Sequence, residues 1–377
     1  MSISIQLFIA GDVVPHRRTM ELFRQKKTEL LLGEIIPFIR QADLSIVNFE
    51  SPIVNDSQVK PLKKFGPSLK TSIETMKVLK EAGFNVFTLA NNHFRDYGQQ
   101  GVADTINAAK ELGIETIGGG TSIEEAKKVL LKEIHGKKIA ILNACEHEFS
   151  TATDKYGGSN GLDIISMDKD IISARREADY VILILHGGRE YYQLPTPRMK
   201  RWYQHFIEIG ADAVINHHQH CFSGYELYQG KPIFYGLGNF CFDSAKKQHK
   251  SVWNFGYAVI LILEDNIKFD LIPYEQCAEE PVVKLCDKSK FEEEINQLNT
   301  IIKDDDKLNN AFDTFVLSQE KVLLGSFLPF GRITMGLYRR NLLGKIYKKN
   351  HLTRFHNRIV CETHIETLQR LLQILNS

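Results

Sequence analysis

"FNVFTLANNHFRDYGQQG", Phe84 to Gly101, runs an apolar, β-forming segment into two carboxamides and an imidazole. A short apolar run bounded by turn formers reads as a buried strand, and this one ends on Asn91-Asn92-His93. The amphipathic pattern "GVADTINAAKELG" follows at once and stops at Gly113, where a helix commonly places its left-handed closing residue. Taken alone, the carboxamides fit an Asx-turn. What gives the unit weight is its recurrence.

Working outward, similar runs occupy Ile3 to Ala10, Leu44 to Phe49, Lys138 to Ala144, Tyr180 to His186 and Asp212 to His217. Helical patterns such as "SIETMKVLKEAG", closed by Gly83, lie between several of them. This alternation predicts an α/β sheet architecture covered by helices. From Lys231 to Tyr274, "KPIFYGLGNF", "GYAVILIL" and "IKFDLIPY" come without long helices, and predict turn-connected antiparallel strands. Beyond Glu279, "EEPVVKLCDKSKFEEEINQLN" and "HIETLQRLLQILNS" read as helices flanking a basic segment. The expected organisation is one domain over 1–284 and a helical region over 285–377.

The 377 residues are enough for one large domain with a smaller appendage. A hydrophobic fraction of 43%, a charged fraction of 25% and a net charge of +1 give no basic excess for nucleic acid. The amino terminus lacks a basic n-region and a long apolar h-region, and no run approaches a spanning helix, so the chain reads as cytoplasmic. Cys145, Cys221, Cys241, Cys277, Cys286 and Cys361 show no CxxC spacing and read as reduced, structural thiols.

Five of the strand-like runs end in side chains able to ligate a metal: "IAGD", "VNFE", "LANNH", "LILHGG" and "AVINHHQH". Open α/β sheets place their sites at the carboxyl edge of the strands. Oxygen donors from Asp12, Glu50 and Asn92 mixed with imidazoles from His186, His218 and His220 suit Mn, Fe, Zn or Co better than calcium. On extended backbone, residues at i and i+2 face one way, which pairs His218 with His220. A turn at Asn216 would select His217 and His220 instead.

From about Ile5 to Asp243 these motifs, with "NFESPI", "LHGGREYY" and "GYELYQGKPIFYGLGNFCFD", resemble the CapA family of capsule or poly-γ-glutamate biosynthesis proteins, within the calcineurin-like metallophosphoesterase superfamily. The resemblance implies a four-layer αββα sandwich with one or two divalent ions between its sheets. It implies Asp12 as a ligand, Glu50 as the bridging carboxylate, and Asn92, His186 and one or two of His217, His218 and His220 as the rest. It makes His93 the acid that protonates a leaving group, oriented by Asp96. The superfamily's Asp-x-His opening is absent, since Asp12-Val13-Val14 stands there, and Glu50 replaces the usual aspartate. Asn216 stands where the family usually has glycine.

The implied activity is metal-dependent hydrolysis, phosphoesterase-like, in the synthesis of capsule or another cell-surface polymer. The alternatives are amide hydrolysis on poly-γ-glutamate and a non-catalytic partner in capsule assembly or export. Arg17, Arg18, Lys64 and Arg189 are candidates to meet an anionic precursor, as are Glu146 and His147 of "CEHEFS". The basic, apolar stretch "LLGSFLPFGRITMGLYRRNLLGKIYKK" is a candidate for peripheral membrane contact.

Overall fold

The computed structural model describes residues 4–244, 251–319 and 349–376, with three isolated positions between 320 and 348. The stretch read for membrane contact therefore lies, but for those positions and its last residue, Lys349, outside the described residues.

Two large sheets make the body. The first orders its strands β16 (Val283–Leu285), β15 (Lys268–Gln276), β14 (Phe255–Leu263), β1 (Ile5–Val14), β2 (Leu44–Phe49), β3 (Val86–Thr88) and β4 (Glu115–Ile117), with β13 (Asn239–Phe242) also pairing β1. The second orders β11 (Tyr225–Tyr228), β12 (Lys231–Phe234), β10 (Ala213–His217), β9 (Tyr180–His186), β7 (Lys137–Cys145) and β6 (Leu130–Ile134). A small ribbon pairs β5 (Gly119–Gly120) with β8 (Gly158–Ser159).

The layering follows from the two-residue period of a strand. On β1, Ile5, Leu7 and Ile9 face a core shared by both sheets, while Phe8 and Ala10 face the opposite way. On β9, Ile182 and Ile184 meet that shared core, and Val181, Leu183 and Leu185 turn outward. Helices close both outer faces. Phe23, Leu31, Met76, Leu79 and Val102 cover the first sheet, and Met167, Ile171, Phe206, Phe312 and Leu371 cover the second. The result is an αββα sandwich.

β1 to β4 run parallel, as do β7, β9, β10 and β12, so the carboxyl ends within each set share an edge. Three sequence expectations are corrected here. β1 does not stop at Ala10 but continues to Val14, because β13 arrives alongside it in parallel, Asp12 opposite Asn239. The region from Lys231 is only partly antiparallel: β14, β15 and β16 form a meander, but β12 pairs β10 in parallel and the chain then changes sheets at Gly236–Gly238. That crossing needs glycine. A Cβ on Gly11 would lie 1.9 Å from the Gly238 carbonyl oxygen, and Gly238 has φ of 79°. Finally, "EEPVVKL" is not helical. Val283–Leu285 forms an edge strand, and the helix Lys288–Ile302 begins after Asp287, whose side chain accepts from the Ser289 and Lys290 amides.

Candidate metal centre

At the shared edge, five strand ends converge. Asp12 comes from β1, Glu50 from just after β2, Asn92 from the turn after β3, His186 from the end of β9 and His217 from the end of β10. All five are buried, Asp12 and Glu50 completely. Four of these, with His218 and His220, form three overlapping groups of ligand atoms, each within 4.8 Å: Asp12, His186 and His217; Glu50, His186 and His218; Asp12, Glu50 and His220.

The individual distances tie these groups together. His186 Nε2 lies 3.2 Å from Asn92 Oδ1, 3.0 Å from His218 Nδ1 and 3.7 Å from Glu50 Oε1. His220 Nδ1 is 3.5 Å from Asp12 Oδ2 and 2.9 Å from Asn239 Oδ1. Asn48, on β2, donates to Asp12 Oδ1 at 2.7 Å and also stands 3.2 Å from His186 Nδ1. The His218 amide donates to Asp12 Oδ2 at 3.2 Å.

The backbone rationale for the histidines is corrected. His218 and His220 are not extended: their φ values are 90° and 55°, left-handed for residues that carry a Cβ. Each such position costs about 1–3 kcal/mol and is held by its surroundings. The turn brings both imidazoles inward beside His217, so the three histidines share one site rather than dividing by parity. Asn216 donates through Nδ2 to the Gly187 and Tyr235 carbonyls at 2.9 and 3.0 Å, fixing the strand that presents them.

Two observations fit these donors to a divalent ion. Neither oxygen of Glu50 and neither ring nitrogen of His217 has a hydrogen-bond partner among the described residues, although both groups are buried. Buried polar atoms are rarely left so. The electrostatics agree. Burial, reinforced by the charge of Asp12, holds the Glu50 carboxyl well above the ordinary carboxylate range. Burial also opposes ionisation of Asp12, but the His220 hydrogen bond and the charges of His186 and His217 bring it below that range. Burial and the neighbouring His218 keep His186 well below an ordinary imidazole. Burial works against a charge on His220 too, yet Glu50 and Asp12 outweigh it and push it up to about 10.

His93 stands beside this group. Its Nδ1 lies 2.7 Å from Asp96 Oδ2 and 3.1 Å from Lys64 Nζ, and Lys64 pairs with the other Asp96 oxygen. The Leu69 amide donates to Asp96 Oδ2 at 2.7 Å, which fixes the carboxylate. Burial, and then the charge of Lys64, lower the pKa of His93. Lys64 therefore touches the His93–Asp96 pair.

The remaining candidates divide. Arg189 follows "HGG" from β9, half-buried, with its Nε lacking a partner among the described residues. Arg17 is exposed at a φ of 50°, and the Arg18 guanidinium is committed to Asp243 and the Cys277, Ala278 and Glu279 carbonyls. Glu146 accepts from Arg198 Nη2 at 2.5 Å and from Thr363 Oγ1 at 2.6 Å, and His147 pairs with Glu362. Both residues tie the loop to the carboxy-terminal helix Glu362–Asn376. From "CEHEFS" it is Glu148 that approaches the centre, 3.9 Å from His218 Nε2 and 3.5 Å from Asn92 Nδ2. Burial raises its pKa to about 7. All six thiols are free, and burial pushes those of Cys145 and Cys221 upward, away from nucleophilic thiolate.

Sequence reasoning passed over Asn48 as a member of the site; Glu148 entered it only with the substrate-contact reading of "CEHEFS", and Asn239 only as a hydrogen-bonding residue of "GLGNF". Asn48 had a signal: it precedes Glu50 by two, the spacing that puts both on one face of an extended segment.

Known proteins carry related sequences. The capsule biosynthesis protein CapA of Bacillus anthracis is 30% identical over 298 residues, 76% of this chain and 71% of that protein. The PGA biosynthesis protein CapA of Bacillus subtilis (strain 168) is 32% identical over 241 residues, 62% of each chain. A probable polyglutamine synthesis accessory protein of Mycobacterium tuberculosis is 24% identical over 210 residues, 52% of this chain and 55% of that one. The family model described as bacterial capsule synthesis protein PGA_cap matches residues 6–244, the span that carries every strand end of the centre. With that match over more than half its length, the chain belongs to the PGA_cap family of bacterial capsule synthesis proteins.

Proposed function

We propose that the chain is a metal-dependent hydrolase acting on an anionic precursor or product in the synthesis of a capsule or polyglutamate-type polymer. The observation that carries this reading is the buried, unpartnered Glu50 carboxyl among Asp12, His186, His217, His218 and His220. Asp12, Glu50, Asn92 and the four histidines would hold one or two ions of Mn, Fe, Zn or Co, and such ions supply an acidified water and offset charge on a phosphoryl or carbonyl oxygen.

The protein's own groups account for the rest. Asn48 steers Asp12 and His186 from behind, as partners of metal ligands do. Asp96 accepts from Nδ1 of His93, which leaves Nε2 free to exchange a proton with the reacting groups. In hydrolysis, the water oxygen bonds to phosphorus and releases its proton to solvent, the bond to the leaving oxygen breaks, and His93, protonated at Nε2 from solvent, passes that proton to the leaving oxygen. The same groups can serve an amide, the proton then going to the leaving nitrogen. The names of the Bacillus subtilis and Mycobacterium tuberculosis relatives, PGA and polyglutamine synthesis, favour that second bond.

Metal analysis of the purified chain, followed by a panel of phosphoesters and γ-glutamyl amides with the best ion added, tests the reading. His186→Ala should abolish turnover while far-ultraviolet circular dichroism is retained. Undiminished turnover by that variant would reject it.

A further inference from the structure

The carboxy-terminal helix pair lies beyond the family match, and it reaches the metal centre from outside. The elbow between Lys349–Val360 and Glu362–Asn376 holds Cys361, whose sulfur, with Glu148 and His364, forms a group of atoms within 4.8 Å of one another. Glu148 in turn touches His218 and Asn92. Further along the first helix, the Arg354 guanidinium sits 4.6 Å over the ring of Phe65, next to Lys64. The helix therefore runs between the loop that carries Lys64 and the loop that carries Glu148.

Arg354 and Arg358 are one turn apart and share a face of this helix. Arg358 is half-buried and its Nε, like that of Arg189, is enclosed with no hydrogen-bond partner among the described residues. Arg358 lies one turn before the elbow at Cys361, and Arg189 leaves β9 three residues after His186; after burial itself, the charges of Arg189 and Arg354 lower the hold of Arg358 on its proton. Guanidiniums with free N–H groups beside a metal centre are partners that carboxylate and phosphate oxygens fit.

We infer that Arg358 joins Arg189 in a subsite for a substrate oxyanion, a carboxylate or a phosphate, and that the carboxy-terminal helix pair is thereby part of the substrate site. The inference deepens the metal-centre reading and rests on it for the position of the substrate.

The full-length, metal-loaded protein is titrated calorimetrically with two probes, a γ-linked glutamate oligomer and inorganic phosphate. Arg358→Gln and Arg189→Gln should each weaken binding about 10-fold at unchanged metal content and melting temperature, with Arg358→Lys losing less. A loss confined to the oligomer assigns the subsite to carboxylate, and a loss confined to phosphate assigns it to phosphate. Wild-type affinity for both probes in Arg358→Gln overturns the inference, as does failure of the wild-type protein to bind either. If the glutamine variant does not fold, the wild-type protein answers by itself: the bound probe should shield Arg358 from phenylglyoxal, read by peptide mass spectrometry, and equal modification with and without probe overturns it. Binding that depends on Arg358 without turnover of any substrate would count against the hydrolase alone. Turnover with an unchanged KM in Arg358→Gln would count against the subsite alone.

Discussion

Glu50 holds opposing demands. Both its oxygens are buried without a hydrogen-bond partner, and Asp12 beside it raises the cost of its charge. An unsatisfied buried group costs about 1–3 kcal/mol, more when charged, so Glu50→Gln should raise the melting temperature of chelator-treated protein. The same change removes a charged donor, and should lower metal affinity by at least about 10-fold, the lower end of what loss of a ligand's mere supporting partner costs. The order of the two melting curves should therefore reverse when metal is added, and curves that keep one order would contradict the assignment of Glu50 as a ligand. Much at this scale was readable from sequence. Asp12, Glu50, Asn92 and His186 each follow an apolar run, and that junction is visible without coordinates. What was hidden depends on backbone that sequence does not announce: the left-handed turns at His218 and His220, and the approach of Asn239 made when β13 comes to lie beside β1.

The element that holds the loop after β7 is the helix Glu362–Asn376, through His147 to Glu362 and through Glu146 to Thr363, while Arg198 of the helix Pro197–Glu208 pairs with both Glu146 and Glu366. The hydrogen bond to Glu362 raises the pKa of His147 above 6.5, more than partial burial lowers it. A group raised on folding contributes stability that is complete below its unfolded pKa and is lost as pH rises through the folded one. The docking of this helix should thus loosen toward alkaline pH. Amide exchange across residues 362–376 should quicken through that range in the wild type, while in His147→Gln it should be faster from the start and lose this step. A step that persists in the variant would assign the effect elsewhere. Helices here were legible from their periodicity, but the start of Lys288–Ile302 was not: the sequence pattern runs the helix back through "EEPVVKL", whereas the Asp287 cap begins it later. The passage of the chain from β12 to β13 was not, because glycines permit a crossing between sheets without dictating its direction.

Across the whole molecule, the centre joins two sheets whose facing sides share an apolar core, with the Lys132–Glu115 ion pair at its far edge. Asp12 and Glu50 belong to the first sheet, His186 and His217 to the second, and their donor atoms interleave within single groups. The αββα layering was only partly legible from the strand runs, since their alternation gives sheet and helix but not how the strands divide between two sheets. An ion that binds the folded chain and not the unfolded one stabilises by RT ln(1 + [L]/Kd), about 2.7 kcal/mol at 100 times Kd. Because this ion would bridge the sheets, its removal should act on their relative position as well as on the site. Chelation should lower the melting temperature, and it should also quicken amide exchange in β1 and β9, which both enter the shared core, β1 with Ile9 and β9 with Ile184. Restoring the metal should reverse both, with the shift growing as the logarithm of free metal. A melting temperature indifferent to chelator, in protein shown to carry metal beforehand, would mean that the ion does not clasp the two sheets.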